Sequence, residues 1–150
     1  MSKFLTAFVL LLALSQLAAP TTTASAGTAA MASCYGSTCN GLSPVTTGCS
    51  ADGYVVSSVE IYDDESNYFG MVYRYWSPTC QAAWTYVLSD YRATVVQATI
   101  SSSSPSNSYT QINWHVYTAR SPMVYATGVS STTACGTIQE AGWSVGACTP

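Results

Sequence analysis

The chain has 150 residues, 48% of them hydrophobic and only 7% charged, and its formal net charge is −3. So sparse and acidic a charge set excludes nucleic acid and anionic lipid headgroups as partners, because both need clustered Lys and Arg. The length suits one domain with a sizeable core.

The first residues read as an export address. Met1-Ser2-Lys3 is a short positive start, and Phe4 to Leu14 is apolar apart from Thr6. That run is shorter than the about 20 apolar residues a membrane span needs. Ala24-Ser25-Ala26 then fits the small-x-small pattern of signal peptidase sites. We therefore expect a signal peptide at 1–26, a short linker at 27–33 and a single disulfide-rich β domain at 34–150. Met31-Ala32-Ser33-Cys34 faintly resembles a lipoprotein cleavage site, but it lies far beyond the apolar run. No second apolar stretch could cross a membrane, so the expected location is extracellular.

Absences narrow the chemistry. Beyond Lys3 there is no lysine, which excludes Schiff-base chemistry, Ser–Lys dyads and isopeptide cross-links. His115 is the only histidine, which excludes an HExxH zinc protease. There is no phosphate loop, GxGxxG or N-x-[ST] sequon. No cofactor is expected.

Taken in chain order, the segments read as β. Tyr54 to Tyr62 alternates, with Val55, Val59 and Ile61 on one face around Ser57. Tyr68 to Trp76 alternates with Phe69, Met71, Tyr73 and Tyr75 on one face. Asp63-Asp64-Glu65-Ser66-Asn67 is a polar turn between them. Pairing about Glu65 sets Ile61 opposite Phe69, Val59 opposite Met71, Ser57 opposite Tyr73 and Val55 opposite Tyr75. Ser77-Pro78 could cap a helix, but a turn into a strand at Trp84 to Leu88 fits better. Ser89-Asp90 is expected to turn into a separate strand, Tyr91 to Ile100. Ser101 to Ser108 reads as a loop. Gln111 to Ala119 alternates with Ile112, Trp114 and Val116 on one face, Met123 to Val129 follows, and two short strands flank Glu140-Ala141-Gly142. Strands at this spacing predict an all-β, antiparallel sandwich or barrel-like domain.

Six cysteines allow fifteen pairings. Cys49 and Cys80 are nearly equidistant from the turn at Glu65, and Cys135 and Cys148 from the turn at Ala141-Gly142. A hairpin brings such positions together. That leaves Cys34 with Cys39, and the main competitor is Cys39–Cys80 with Cys34–Cys49. An exported chain without Cys-x-x-Cys favours disulfides over metal or redox sites.

The run Cys34-Tyr35-Gly36-Ser37-Thr38-Cys39-Asn40-Gly41, with Pro44 and Thr47-Gly48-Cys49, resembles the start of the secreted bacterial family "domain of unknown function 2690". Arg74-Tyr75, Ser77-Pro78-Thr79-Cys80 and Ala82-Ala83-Trp84 resemble its centre. Ser121-Pro122-Met123-Val124-Tyr125 and Ala134-Cys135 resemble its C-terminal part. The chain has Leu42-Ser43 where the family often has Lys-Asp, and Tyr86 where it often has Arg. The resemblance implies secretion and a disulfide-bonded β domain, and it carries over no catalytic residues.

His115 could serve as a general base, yet no nucleophile can be nominated beside it. Asp63-Asp64-Glu65 could take calcium, but a hairpin tip is usually only solvated. A paired-carboxylate glycosidase needs two acids facing across a cleft, which spacing cannot show. Eleven Tyr and four Trp offer rigid, amphipathic contact area. Tyr54 with Trp76 and Tyr62 with Tyr68 fall on the outer face of the expected hairpin, and these four are the candidate binding residues. The reading is a non-catalytic extracellular module with an unknown extracellular or cell-envelope partner. The alternatives are a secreted hydrolase of envelope polymers and a protease inhibitor. An enzyme requires His115 to converge with carboxylates in a cleft; a binder requires exposed aromatics without that convergence.

Intact-mass analysis of the protein from culture supernatant should give a mature chain starting near Gly27. A diacylated product starting at Cys34 would refute this.

Overall fold

The computed structural model describes residues 31–150, so the expected signal peptide and residues 27–30 of the linker lie outside the described residues. Seven strands follow in order: β1 Tyr54–Tyr62, β2 Tyr68–Ser77, β3 Ala82–Ser103, β4 Ser106–Arg120, β5 Val124–Tyr125, β6 Thr132–Glu140 and β7 Trp143–Cys148. Short 3-10 turns cover Gly36–Cys39, Cys49–Ala51 and Val129–Ser131. Among the described residues there is no α-helix, and none is long and apolar enough to cross a membrane.

Every pairing is antiparallel. The path runs β1-β2-β3-β6-β7, with β4 and β5 also paired to β3. β7 returns beside β1, but the two share no ladder, so the sheet forms a nearly closed barrel. This is the all-β class in its barrel-like form.

β3 differs from its expected form. Ser89-Asp90 is not a turn; the strand continues through it for 22 residues. Its register with β4 slips between Leu88 and Ala93, and the strand bends there. Thr85 Oγ1 donates to the Thr99 carbonyl at 2.7 Å. A straight strand would hold those residues about 46 Å apart at roughly 3.3 Å per residue. The two halves of β3 therefore face each other across the interior. The Ser-rich segment is mostly strand too: β3 runs to Ser103 and β4 starts at Ser106, around a cis Ser104-Pro105 bond. Of the expected Met123 to Val129 strand, only Val124–Tyr125 forms.

The β1–β2 hairpin keeps its expected register at its ends, where Val55 faces Tyr75 and Tyr62 faces Tyr68. Bulges at both ends displace the middle by one residue: Ile61 meets Gly70, Val59 meets Val72 and Ser57 meets Arg74. The inner face of β2 is consequently Gly70, Val72, Arg74 and Trp76, not the expected Phe69, Met71, Tyr73 and Tyr75. Val55 also turns out, at 44% exposed, whereas Ile61 is fully buried. A bulge adds one residue to one strand only, so it reverses which side chains face inward beyond it.

Two cores result. Ile61, Val72, Val87, Val96, Ile100 and Ile138 fill the barrel. The second lies around Trp84, where Cys34, Cys39, Cys49, Cys80 and Met123 pack. The segment before β1 forms this pad, tied down by Gly41 N–H to Met123 O (2.9 Å) and Gly36 N–H to Cys80 O (2.8 Å). The disulfides are Cys34–Cys39, Cys49–Cys80 and Cys135–Cys148, as the turn symmetry predicted.

Gly136 lets the barrel close. A Cβ there would lie 2.6 Å from Val72 Cγ2 and 2.7 Å from Val87 Cγ2. Gly136→Ala should destabilise the domain by about 1–3 kcal/mol in urea unfolding, the usual penalty of overpacking. Gly128 has extended backbone and nothing within 4 Å of a Cβ. Gly128→Ala should be neutral or slightly stabilising, and equal losses at both sites would contradict this packing.

Candidate functional site

The open seam between β1 and β7 makes a cleft. It has a volume of about 450 Å³ and is walled by the β1–β2 turn (Tyr62, Asp63, Asp64, Glu65) and by β7 (Trp143, Ser144, Val145, Gly146). A smaller, more apolar recess adjoins it, lined by Asp63, Phe69, Trp143 and Val145. Trp143 is 40% exposed. It packs on Phe69 (centroids 4.8 Å apart) and Tyr91 (6.3 Å), so its ring is held in place.

The turn is built by its own side chains. Asp63 Oδ1 accepts from the N–H groups of Glu65 (2.9 Å) and Asn67 (2.8 Å), and Oδ2 accepts from Asn67 Nδ2 (2.8 Å). These bonds, Asn67's side chain foremost, hold the Asp63 carboxyl below its usual range. Asp63 is thus a structural acid, and Asp64 and Glu65 are carried beside it on the cleft wall.

Acidity spreads across this end of the barrel. Tyr62 OH donates to Glu60 at 2.8 Å, which raises the Tyr62 pKa. Burial raises that of Tyr68, with further contributions from Tyr73, Asp90 and Glu60. Tyr91 is raised by burial and then by Glu140. Arg92 is drawn off by the carbonyl of His115, to which its Nε donates at 2.8 Å. The other two arginines lie elsewhere: Arg120 stacks over Tyr86, and Arg74 is buried inside the barrel, donating to the Thr132 carbonyl.

Of the four expected binding residues, Tyr62 and Tyr68 meet edge-on at 5.7 Å and are 45% and 41% exposed. Tyr54 is exposed at the far end of β1, about 26 Å away along the strand. Trp76 faces Tyr54 in register, but it belongs to the barrel core at 9% exposed. His115 is exposed, at a positive φ, and does not line the cleft. It acts on Glu140 only as a secondary electrostatic influence; Thr94 holds that carboxylate through its hydroxyl (2.5 Å) and N–H (2.9 Å). Trp143, Phe69 and Tyr91 were not among the site residues expected from the sequence, where Phe69 was placed on the inner face of its strand and Tyr91 at a strand start. The one available signal was Trp143 directly after the Ala141-Gly142 turn.

The fold defines a small, disulfide-stapled, barrel-like β domain with an acidic and aromatic seam. The chain belongs to the family described as protein of unknown function (DUF2690), which matches residues 37–135. That span holds the acidic turn but stops before β7 and Trp143. No curated protein and no solved structure matches the chain.

Hydrogen bonds depress the folded pKa values of Asp63 and Glu140 below 3.8 and 4.5 respectively. Their stabilisation is present above those unfolded values and is lost as pH falls through the lower folded ones. Urea midpoints should therefore drop below about pH 4. Thr94→Val removes the hydroxyl donor to Glu140 and should make that drop shallower; an unchanged pH profile would count against the coupling.

Proposed function

We propose that the protein is a secreted, non-catalytic binding module whose seam takes protonated amines of an envelope polymer. The observation that carries this reading is the cleft in which Asp63, Asp64 and Glu65 face Trp143, with Tyr62 alongside. A carboxylate wall attracts an ammonium group, and an indole face adds a cation–π contribution of about 0.5–2 kcal/mol. The cleft also forms between two walls that pack without a shared ladder.

The same geometry argues against a hydrolase. A glycosidase needs two carboxylates on opposite sides of the scissile bond. Here the three acids are consecutive on one turn, and the facing wall, Trp143 to Gly146, contains none. His115 lies outside the cleft.

Isothermal titration with a glucosamine oligomer at pH 6, against its N-acetylated counterpart, tests the proposal. The amine form should bind, more weakly as salt rises. Trp143→Ala and Glu65→Gln should each weaken binding by up to roughly tenfold, while His115→Ala leaves it unchanged. Equal binding of both oligomers, or dependence on His115, would refute the proposal.

A further inference from the structure

The pad beneath β3 holds four sulfur atoms, of Cys34, Cys39, Cys49 and Cys80, all within 4.8 Å of one another. They form two bridges, Cys34–Cys39 and Cys49–Cys80, lying side by side with Cys34 Sγ 3.6 Å from Cys49 Sγ. Cys39, Cys49 and Cys80 are fully buried, and Cys34 is 9% exposed. The backbones that carry them are held independently of the sulfurs. Gly36 N–H donates to Cys80 O (2.8 Å), Ser33 N–H to Thr47 O (2.8 Å) and Ser50 N–H to Pro44 O (2.9 Å).

We propose that these four cysteines, once reduced, form a tetrathiolate site for Zn²⁺. Tetrahedral zinc with Zn–S bonds of about 2.3 Å places its sulfurs about 3.8 Å apart. The Cys34–Cys49 separation already meets that spacing. Any pair near the 4.8 Å limit has to close by about 1 Å, and each bonded pair has to part by about 2 Å. Side-chain rotation supplies such movements without moving the strands. Four thiolates in a closed, buried set select a soft, tetrahedral ion over calcium or magnesium.

The reaction balances. A dithiol reductant delivers two electrons and two protons to each bridge and becomes a disulfide itself, leaving four thiols. Zn²⁺ then displaces four protons and binds four thiolates. Because metal binding to such a set is also folding free energy, zinc holds the pad on Trp84 in the reduced chain. A disulfide oxidant that takes two electrons from each thiolate pair re-forms the bridges, becomes a dithiol with protons from water, and so releases the ion. The Cys135–Cys148 bridge joins β6 to β7 and lies outside the cluster.

The test is a Co²⁺ titration of the full chain, reduced with a phosphine and kept free of oxygen. One equivalent should bind with the intense visible bands and sulfur-to-metal charge transfer of tetrahedral thiolate cobalt, and one equivalent of Zn²⁺ should displace it. Cys135→Ser with Cys148→Ser should keep that spectrum, and Cys39→Ser with Cys80→Ser should abolish it. A weak six-coordinate spectrum, no stoichiometric binding, or a tetrahedral spectrum that survives Cys39→Ser with Cys80→Ser would overturn the proposal. Circular dichroism of the reduced chain gives a second reading: zinc should restore ordered aromatic signals, and no change on adding zinc would also overturn it.

Discussion

The bend in β3 is the constraint on which the rest of the molecule depends. One edge of this strand carries β2 along its first half and β6 along its second, while β4 follows the other edge. A straight β3 would hold the β1–β2 and β6–β7 hairpins end to end in a flat sheet. The bend between Leu88 and Ala93 folds them together, so Val72 and Val87 reach the backbone of Gly136. The hydrogen bond from Thr85 to Thr99, within one strand, records how far the bend goes. Arg74 on β2 likewise reaches the Thr132 carbonyl on β6. Burial lowers the Arg74 pKa, because a guanidinium in the barrel has left water with a carbonyl for a partner.

The seam follows from the same bend. Two hairpins swung together from one strand bring β1 beside β7 without matching their ladders. The unpaired edges leave room for the cleft, and the turns at that end supply its chemistry. Asp63 is committed to the turn's own hydrogen bonds, so the turn is pre-formed and Asp64 and Glu65 are presented without further ordering. Trp143 is steadied by Phe69 and Tyr91. Preorganised aromatic and acidic groups suit recognition, since little side-chain freedom remains to be lost on binding.

The pad plays a different part. It covers the outer face of early β3, where Ala82 and Trp84 are buried away from the barrel. Gly53 shows how closely it fits, because a Cβ there would lie 2.3 Å from the Trp84 ring. Two disulfides within one small apolar cluster stabilise a segment that contains no strand of its own. That economy of regular structure is what brings four sulfurs into a single group.

Much of the fold was legible because it is local. Alternation named the class, and the positions of β1, β2, β6 and β7 followed from turns flanked by alternating residues. The cysteine pairs followed from distance to those turns, since chain connectivity in a hairpin forces equidistant positions together. The inner face of β2 was not legible. Phe69, Met71, Tyr73 and Tyr75 look more like a core than Gly70, Val72, Arg74 and Trp76, and only the bulges beside Val55 and Tyr62 reverse that choice. The continuity of β3 through Ser89-Asp90 was equally hidden, because a small polar pair reads as a turn and pairing partners on both edges override that preference. The candidate site depended on that bend. Tyr62 and the acids were visible as a hairpin turn, but Trp143 joins them only when β3 folds one hairpin against the other. Local sequence sets what lies within a hairpin; which hairpins meet is decided by long-range pairing that no short window of residues contains.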